Sequence, residues 1–382
     1  MDKERTYRAL LPALLAAGVL ALSIGFLTSA KKDFSENENR YLQAFPQLTW
    51  EAVESGSFME EINSYLCDHF PFRDLFISLK TRTEILAGRR QIGQVYVGEE
   101  GYLIEAYQKP QNTEQIAGIL KTFAEKLEDQ PVEVDLMLVP TAVCIYEDKL
   151  PALAFSGLGK EQLATAAQIY ETAAIHQIDC TQALLDHKKE GAEPLYYKLD
   201  HHWTTYGAYA GYLAFCREKG LEPVALEDLE MEVATKDFRG TIYSKVNDYS
   251  RPGEEIKVYT DPSAALTVFY EDTGETTDSL YALDYVEKKD KYSLFLNNLH
   301  PLIQITNEKA ETDRGLVLIK DSYANSMVPF LIHNFKTIYV FDTRYYKWGP
   351  SAFIQEHGDV TDVLILYNMN TLDTDLGIRG IY

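Results

Sequence analysis

An α/β fold built on a sheet of parallel strands is predicted by three features of the 382-residue sequence. Short apolar runs such as "VEVDLMLVP", "GLVLIK", "KTIYVF" and "TDVLILY" lack the polar alternation of half-exposed strands, as strands buried on both faces do. Between them lie segments with helical spacing, and strand–helix alternation is the signature of parallel sheets covered by helices. A hydrophobic content of 46%, with 12% aromatic residues, supplies a sizeable core in a chain of this length.

The elements follow in order. "ALLPALLAAGVLALSIGFLTSA", Ala9 to Ala30, is 22 residues without a charge, between Arg8 and Lys31. At about 1.5 Å per residue it is long enough to cross roughly 30 Å of hydrocarbon. A cleaved signal peptide is the alternative, with "TSA" as its small-residue site. The flanking charges (Lys3, Arg5 and Arg8 against Lys31, Lys32 and Arg40) leave orientation ambiguous. The short tail and large body favour translocation of everything after about Lys31. We therefore expect residues 1–32 as tail and single-pass membrane anchor, with the body extracytoplasmic.

Residues 33–92 read as a stalk and helical lead-in. Phe58, Ile62, Tyr65 and Leu66, then Leu75, Leu79 and Leu86, recur at helical spacing on either side of Pro71, which breaks the pattern into two helices. Residues 93–382 read as the main domain. It opens on a hairpin around Gly98 and Gly101. A helix follows with Ile116, Ile119, Leu120, Phe123 and Leu127 on one stripe, then a strand over Val132–Val139 closed by Pro140. Helices are expected near Lys160–His176 and after Ile178, and through "YANSMVPFLIHNF" and "SAFIQEHG". The stretch 227–299 is polar, tyrosine-rich and weakly periodic, and reads as an insertion of loops and small strands.

Net charge is −22, a field that repels phosphate backbones and offers no footprint for nucleic acid. Cys67, Cys144, Cys180 and Cys216 are widely spread without a CxxC pair, which excludes a zinc ribbon or redox motif by spacing. Buried free thiols are expected.

Two stretches carry chemistry. In "LVLIKDSYANSMVPF", Ser322 follows a strand end and opens a helical segment, where backbone N–H groups can face a developing oxyanion. A serine alone needs a base, and Ser322 or Asp321 is also well placed simply to cap the helix. "YYKLDHHWTTYGAYAGY", Tyr196 to Tyr212, offers the missing base. With Asp200 and His202 one residue apart in a turn, the carboxylate reaches the imidazole Nδ1–H and leaves Nε2 free for a serine. A structural Asp–His pair is one alternative. A binuclear metal site is another, but it needs further Asp-rich motifs for oxygen ligands, and the first clear strand ends in proline without Asp-x-Asp. No metal or cofactor is called for.

"KLDHHWTTYGAYAGY" and "LVLIKDSYANSMVPFL" together strongly resemble the bacterial DHHW family, related to the alginate O-acetyltransferases of the J and X type. "ENRYLQAFP", "YLCDHFPFRD", "VYVGEEGYLIE" and "FRGTIYSK" extend the resemblance over most of the chain. It implies an SGNH-hydrolase-like three-layer α/β/α domain, circularly permuted so that Asp-x-His precedes the serine, with Asp200, His202 and Ser322 as the triad. It also implies an extracytoplasmic O-acetyltransferase of a cell-surface or exopolysaccharide, partnered by a multipass membrane-bound O-acyltransferase that exports the acetyl group. A glycan acetylesterase, or a catalytically silent glycan-binding protein of the same fold, is the alternative. Asn298 in "FLNNLH" is then a candidate side-chain oxyanion donor of the kind SGNH enzymes use, and Gly240 and Thr241 in "FRGTIYS" are candidate backbone donors or simply a turn. Arg344, after a strand end, is a candidate for binding donor or acceptor, or pairs with a nearby carboxylate. Lys320 and Asp321 depart from the smaller residues that acetyltransferase relatives carry before the serine, and the net charge argues mildly against alginate as substrate.

Overall fold

The computed structural model describes residues 2–372 and 376–381, which divide into two compact units. The first comprises residues 1–89 with 243–251. Helix α1, Asp2–Thr28, contains a 19-residue stretch, Leu10–Thr28, long and apolar enough to cross a membrane. Helices α2 (Trp50–Ser55), α3 (Ser57–Asp68) and α4 (Arg73–Leu86) follow. Thr49 caps α2 by accepting from Ala52 N–H at 3.2 Å, and Gly56, at φ 81°, turns the chain into α3 as only glycine does readily. The expected break falls at "HFPF", with Phe72 in the left-handed region at φ 57°. Asp68 pins the polar lead-in to this turn: its carboxylate accepts from Arg40 Nη1 at 2.9 Å, Arg40 Nη2 at 2.5 Å and Gln43 N–H at 2.9 Å. The Arg40 hydrogen bonds outweigh burial and hold the Asp68 carboxyl at about 2.

The second unit, 90–242 with 252–382, opens on a three-stranded antiparallel sheet in which Val95–Val97 pairs with Leu103–Glu105, the expected hairpin. Helix α5 (Thr113–Lys126) leads to strand β1 (Glu133–Val139), α6 (Leu158–Ala173), β2 (His176–Gln177), α7 (Thr181–Glu190) and α8 (Thr205–Lys219). A hairpin of β3 (Glu230–Phe238) and β4 (Glu254–Thr260) follows, then β5 (Leu266–Tyr270), β6 (Thr276–Thr277), β7 (Leu302–Asn307), β8 (Gly315–Lys320) and β9 (Thr337–Phe341). Helix α9 (Pro350–Glu356) and β10 (Val360–Asn368) complete the unit.

The fold is mixed α/β around one eight-stranded sheet, in the order β6-β5-β7-β9-β8-β10-β1-β2. β9, β8, β10, β1 and β2 run parallel, as expected. β5, β6 and β7 add an antiparallel half that the apolar runs did not announce. The 227–299 stretch supplies β5 and β6, a hairpin turning at Gly274 (φ 71°), and a hairpin can only pair antiparallel. All six residues of β8 are buried. Because successive side chains point to opposite faces, the sheet is covered on both sides there, as a three-layer fold requires.

Helix α8 shows why "TYGAYAGY" sits where it does. Thr204 caps it, accepting from Gly207 N–H at 3.1 Å. A Cβ on Gly207 would stand 2.2 Å from Leu195 O, and one on Gly211 2.8 Å from the Trp203 ring. The two glycines therefore let the Leu195–Trp203 loop press against the helix, with Trp203 fully buried. Among the described residues the four cysteines form no disulfide. Cys180 and Cys216 are buried as expected, Cys144 is half-buried, and Cys67 departs from expectation by being exposed on α3, which has no buried residue.

Candidate active site

Asp321 and Ser322 follow directly on β8, at the carboxyl ends of the parallel strands where open α/β sheets gather reactive groups. Asp321 does act as a cap, its Oδ1 accepting from Tyr323 N–H at 2.9 Å. Its Oδ2 accepts from Asn368 N–H, Asn368 Nδ2 and Thr371 Oγ1, each at 2.7 Å, so the end of β10 fixes the turn. The segment that follows is shorter than the sequence suggested. It is a 3₁₀ turn, Ser322–Ser326, then a four-residue helix, Val328–Leu331, whose first turn holds Pro329, where a missing N–H costs no ladder bond. Ser322 N–H stands at the first position of the turn, where the N–H groups of a helical segment find no acceptor within it.

The loop before α8 brings the other half. His202 Nε2 lies 2.7 Å from Ser322 Oγ across 120 residues of sequence. His202 Nδ1 lies 2.5 Å from Asp200 Oδ1, which also accepts the His202 N–H at 3.0 Å. Asp200 Oδ2 accepts from Thr241 N–H at 2.8 Å and Thr241 Oγ1 at 3.2 Å. Burial works against the Asp200 carboxylate, but the two neighbouring histidines outweigh it and hold the group well below its ordinary value. An ionised Asp200 fixes the proton on Nδ1, so Nε2 accepts from the Ser322 hydroxyl. Burial, followed by the proximity of His201, lowers His202 to about 4 despite Asp200, leaving a neutral imidazole at pH 7.

His201 does not face the serine. Its Nδ1 lies 2.7 Å from Thr241 Oγ1, and its ring leans on His202 at 3.8 Å. Asp200, His201 and His202 bring possible metal-ligand atoms within 4.8 Å of one another. The nitrogens and oxygens concerned are already engaged with one another and with Thr241. Trp203 Nε1 donates to Tyr323 O at 2.9 Å, tying the histidine loop to the serine turn.

The contacts of the remaining sequence candidates are as follows. Thr241 N–H is spent on Asp200, and Gly240 packs so closely that a Cβ there would stand 2.0 Å from Asp200 Oδ2. Both belong to the acid side of the site. Asn298, left-handed at φ 75°, accepts from Ser293 Oγ at 3.0 Å through Oδ1. Arg344 grips the buried Asp342 with Nε at 2.8 Å and Nη2 at 2.5 Å, the carboxylate pairing foreseen as its alternative.

Two residues went unnoticed in the sequence. Tyr292 stacks on His202, centroids 3.7 Å apart and planes 9° from parallel, with its hydroxyl 3.2 Å from Ser322 O and 3.1 Å from Ser326 Oγ. Glu254, at the start of β4, accepts from Lys198 N–H and Leu199 N–H, both at 2.7 Å, and so clamps the chain just before Asp200. Burial, assisted by Asp200, raises its carboxyl to about 7 against those two N–H groups. Both lie within 227–299, where weak periodicity gave no signal. Replacing Tyr292 with leucine is expected to slow acylation of Ser322 by about 10–100-fold by freeing the imidazole. Tyr292→Phe keeps the ring, and its loss of hydroxyl contacts is expected to cost about 1 kcal/mol of stability with little change in rate. Equal rate losses in the two variants, measured by stopped-flow acylation, would contradict a positioning role for the ring.

A profile of the family described as DHHW protein matches residues 87–341, about two-thirds of the chain. The chain belongs to the DHHW family. Among solved structures, a DHHW family protein from Eubacterium siraeum superposes with a TM-score of 0.64 at 26% identity, over 75% of this chain and 94% of that one. PatB1 of Bacillus cereus, determined with a sulfonyl adduct, gives 0.58 at 24% identity, over 74% of this chain and 97% of its own. The O-acetyltransferase domain of Pseudomonas putida AlgJ gives 0.47 at 12% identity, over 73% and 92% of the two chains. No curated protein matches the sequence. The family resemblance read from the DHHW and serine motifs is thus met, and the Eubacterium siraeum and Bacillus cereus proteins share the fold of this DHHW chain.

Proposed function

We propose that the chain is a membrane-anchored, extracytoplasmic serine acyltransferase that O-acetylates a cell-surface or exopolysaccharide. The observation that carries this reading is the hydrogen-bonded run from Ser322 Oγ through His202 to Asp200. The apolar α1 supports the anchoring, and the resemblance of the DHHW and serine motifs to the alginate O-acetyltransferases supports acetyl as the group moved. A multipass O-acyltransferase in the same membrane is the proposed route of acetyl supply.

In the first half-reaction His202 Nε2 takes the Ser322 proton as Oγ bonds to the acetyl carbonyl carbon. The oxygen that gains charge faces Ser322 N–H. Collapse breaks the bond to the donor's leaving group, which receives the proton from His202. In the second half-reaction a sugar hydroxyl gives its proton to Nε2 and bonds to the acetyl carbon. The Ser322 ester bond then breaks and the proton returns to Oγ. Throughout, Asp200 holds the tautomer and steadies the imidazolium.

The test is the fate of the acetyl group. With an activated acetyl ester as donor, neutral oligosaccharides are expected to divert acetyl from water to sugar, read as acetylated product by mass spectrometry. Release to water alone with every glycan tried would replace transfer by esterase activity. No turnover from a folded protein would leave a glycan-binding protein.

A further inference from the structure

Helix α4 is inverted for a helix of a water-soluble unit. The side chains it buries are Ser78 and Thr81, whereas Leu75, Leu79 and Leu86 are 63%, 56% and 86% exposed. These leucines and Arg82 stand at i, i+4, i+7 and i+11, a single stripe along the helix. Ser78 faces protein, since its Oγ accepts from Tyr249 N–H at 3.1 Å within the same unit. Helices α2 and α3 bury no residue at all, and the connecting segments expose Phe45, Phe70 and Phe72. So much exposed apolar surface on one small unit marks a contact with something apolar.

The position of α1 identifies what covers it. Phe26 lies two residues before the end of the apolar span, about 3 Å along the helix. Its ring meets Tyr65 of α3 edge-on, 6.2 Å between centroids, and Tyr65 in turn meets Phe45 at 5.2 Å. Gly25 packs against Pro71, to which a Cβ at that position would stand 3.4 Å away. These contacts fix the end of α3 and the "HFPF" turn at the level of the last turn of the span. Phe45, Phe70 and Phe72 are therefore at the depth where aromatic side chains collect at a bilayer surface. Arg82 on the leucine stripe has a stem long enough to lie along lipid with its guanidinium in water.

We infer that α3, α4 and the turn between them form a collar seated in the bilayer surface at the C-terminal end of α1, with Phe72 and the Leu75–Leu79 stripe among the acyl chains. The inference rests on the anchoring proposed above. The surface that carries the contact is a stripe of leucines and phenylalanines, so the attachment is apolar, needs only zwitterionic lipid and persists in high salt.

The test uses the full chain reconstituted in phosphatidylcholine vesicles. An environment-sensitive fluorophore is attached through Leu79→Cys or Phe72→Cys, in a Cys67→Ser background because Cys67 is the exposed thiol. Leu15→Cys reports α1, and Leu153→Cys, at a side chain 98% exposed in the second unit, reports water. Lipids brominated near the headgroup end of the acyl chains are expected to quench most of the emission at Leu79 and Phe72, with and without molar salt. Mid-chain bromolipids are expected to quench Leu15, and neither is expected to quench Leu153. Quenching at Leu15 without quenching at Leu79 and Phe72 would overturn the collar and leave the anchor standing. No quenching at Leu15 would overturn the anchor and the collar with it. Shielding of Leu79 and Phe72 only after a second membrane protein is added would also overturn the collar, since the occupant would be protein rather than lipid.

Discussion

His202→Ala is expected to slow acylation of Ser322 by about 10⁴–10⁶-fold without unfolding the protein, because serine, base and acid act as a unit. Asp200→Asn is expected to cost about 10⁴-fold by a different route. An asparagine amide facing His202 Nδ1 favours the tautomer with the proton on Nε2, which cannot accept from Ser322. The pH profile follows from the direction of the His202 shift. A neutral imidazole is required, and burial lowers its pKa to about 4. Acylation should therefore hold as pH falls through the ordinary histidine value of about 6.5, and be lost only on approaching 4. Acylation rates of the variants, and of the parent across pH, measure all three effects. A parent profile that falls near 6.5 would mean that the imidazole is not held as this geometry holds it.

Gly240→Ala is expected to be almost as damaging, although Gly240 is outside the triad. A Cβ at that position would stand 2.0 Å from Asp200 Oδ2 and 2.4 Å from its Cβ and Cγ, so the carboxylate must move. Movement by an ångström breaks the bonds from Thr241 N–H and to His202 Nδ1 together. The expected loss is about 10²–10⁴-fold in acylation, between a misplaced and a missing acid. The overpacking should lower stability by about 1–3 kcal/mol, leaving a folded protein whose acylation can be measured. An unchanged rate would show that Asp200 tolerates displacement and is not the group that orients His202.

How far the site was legible follows from what each residue does. Asp200, His202 and Ser322 could be found because they sit in local patterns, an Asp-x-His turn before a capped helix and a serine after an apolar strand. Their approach across 120 residues follows from β8 and α8 belonging to one sheet-and-helix body. The four longer parallel strands were legible because near-complete burial writes a continuous apolar run, whereas β2 is two exposed polar residues. The antiparallel half was not, since β5 is only partly buried and β6 is two residues long. Tyr292 and Glu254 were invisible for a related reason. They act through a stacked ring and a backbone clamp, which depend on where a weakly periodic segment is folded back and leave no spacing to read. Thr241 was noticed for the right chemistry, donation of a backbone N–H, but the recipient is the Asp200 carboxylate, and Gly240 makes room for that carboxylate. Arg344 could be read either way until Asp342 was seen in its grip.

The account stands on Ser322 as a nucleophile activated by His202, and the most direct measurement is the mass of its peptide after reaction. The protein is mixed with an activated acetyl ester, quenched in acid, digested and analysed by mass spectrometry. An added acetyl group on the peptide that carries Ser322, absent from Ser322→Ala and strongly reduced in His202→Ala, is the expected result. An adduct that persists in Ser322→Ala, on Ser326 or elsewhere, would contradict the assignment of the nucleophile.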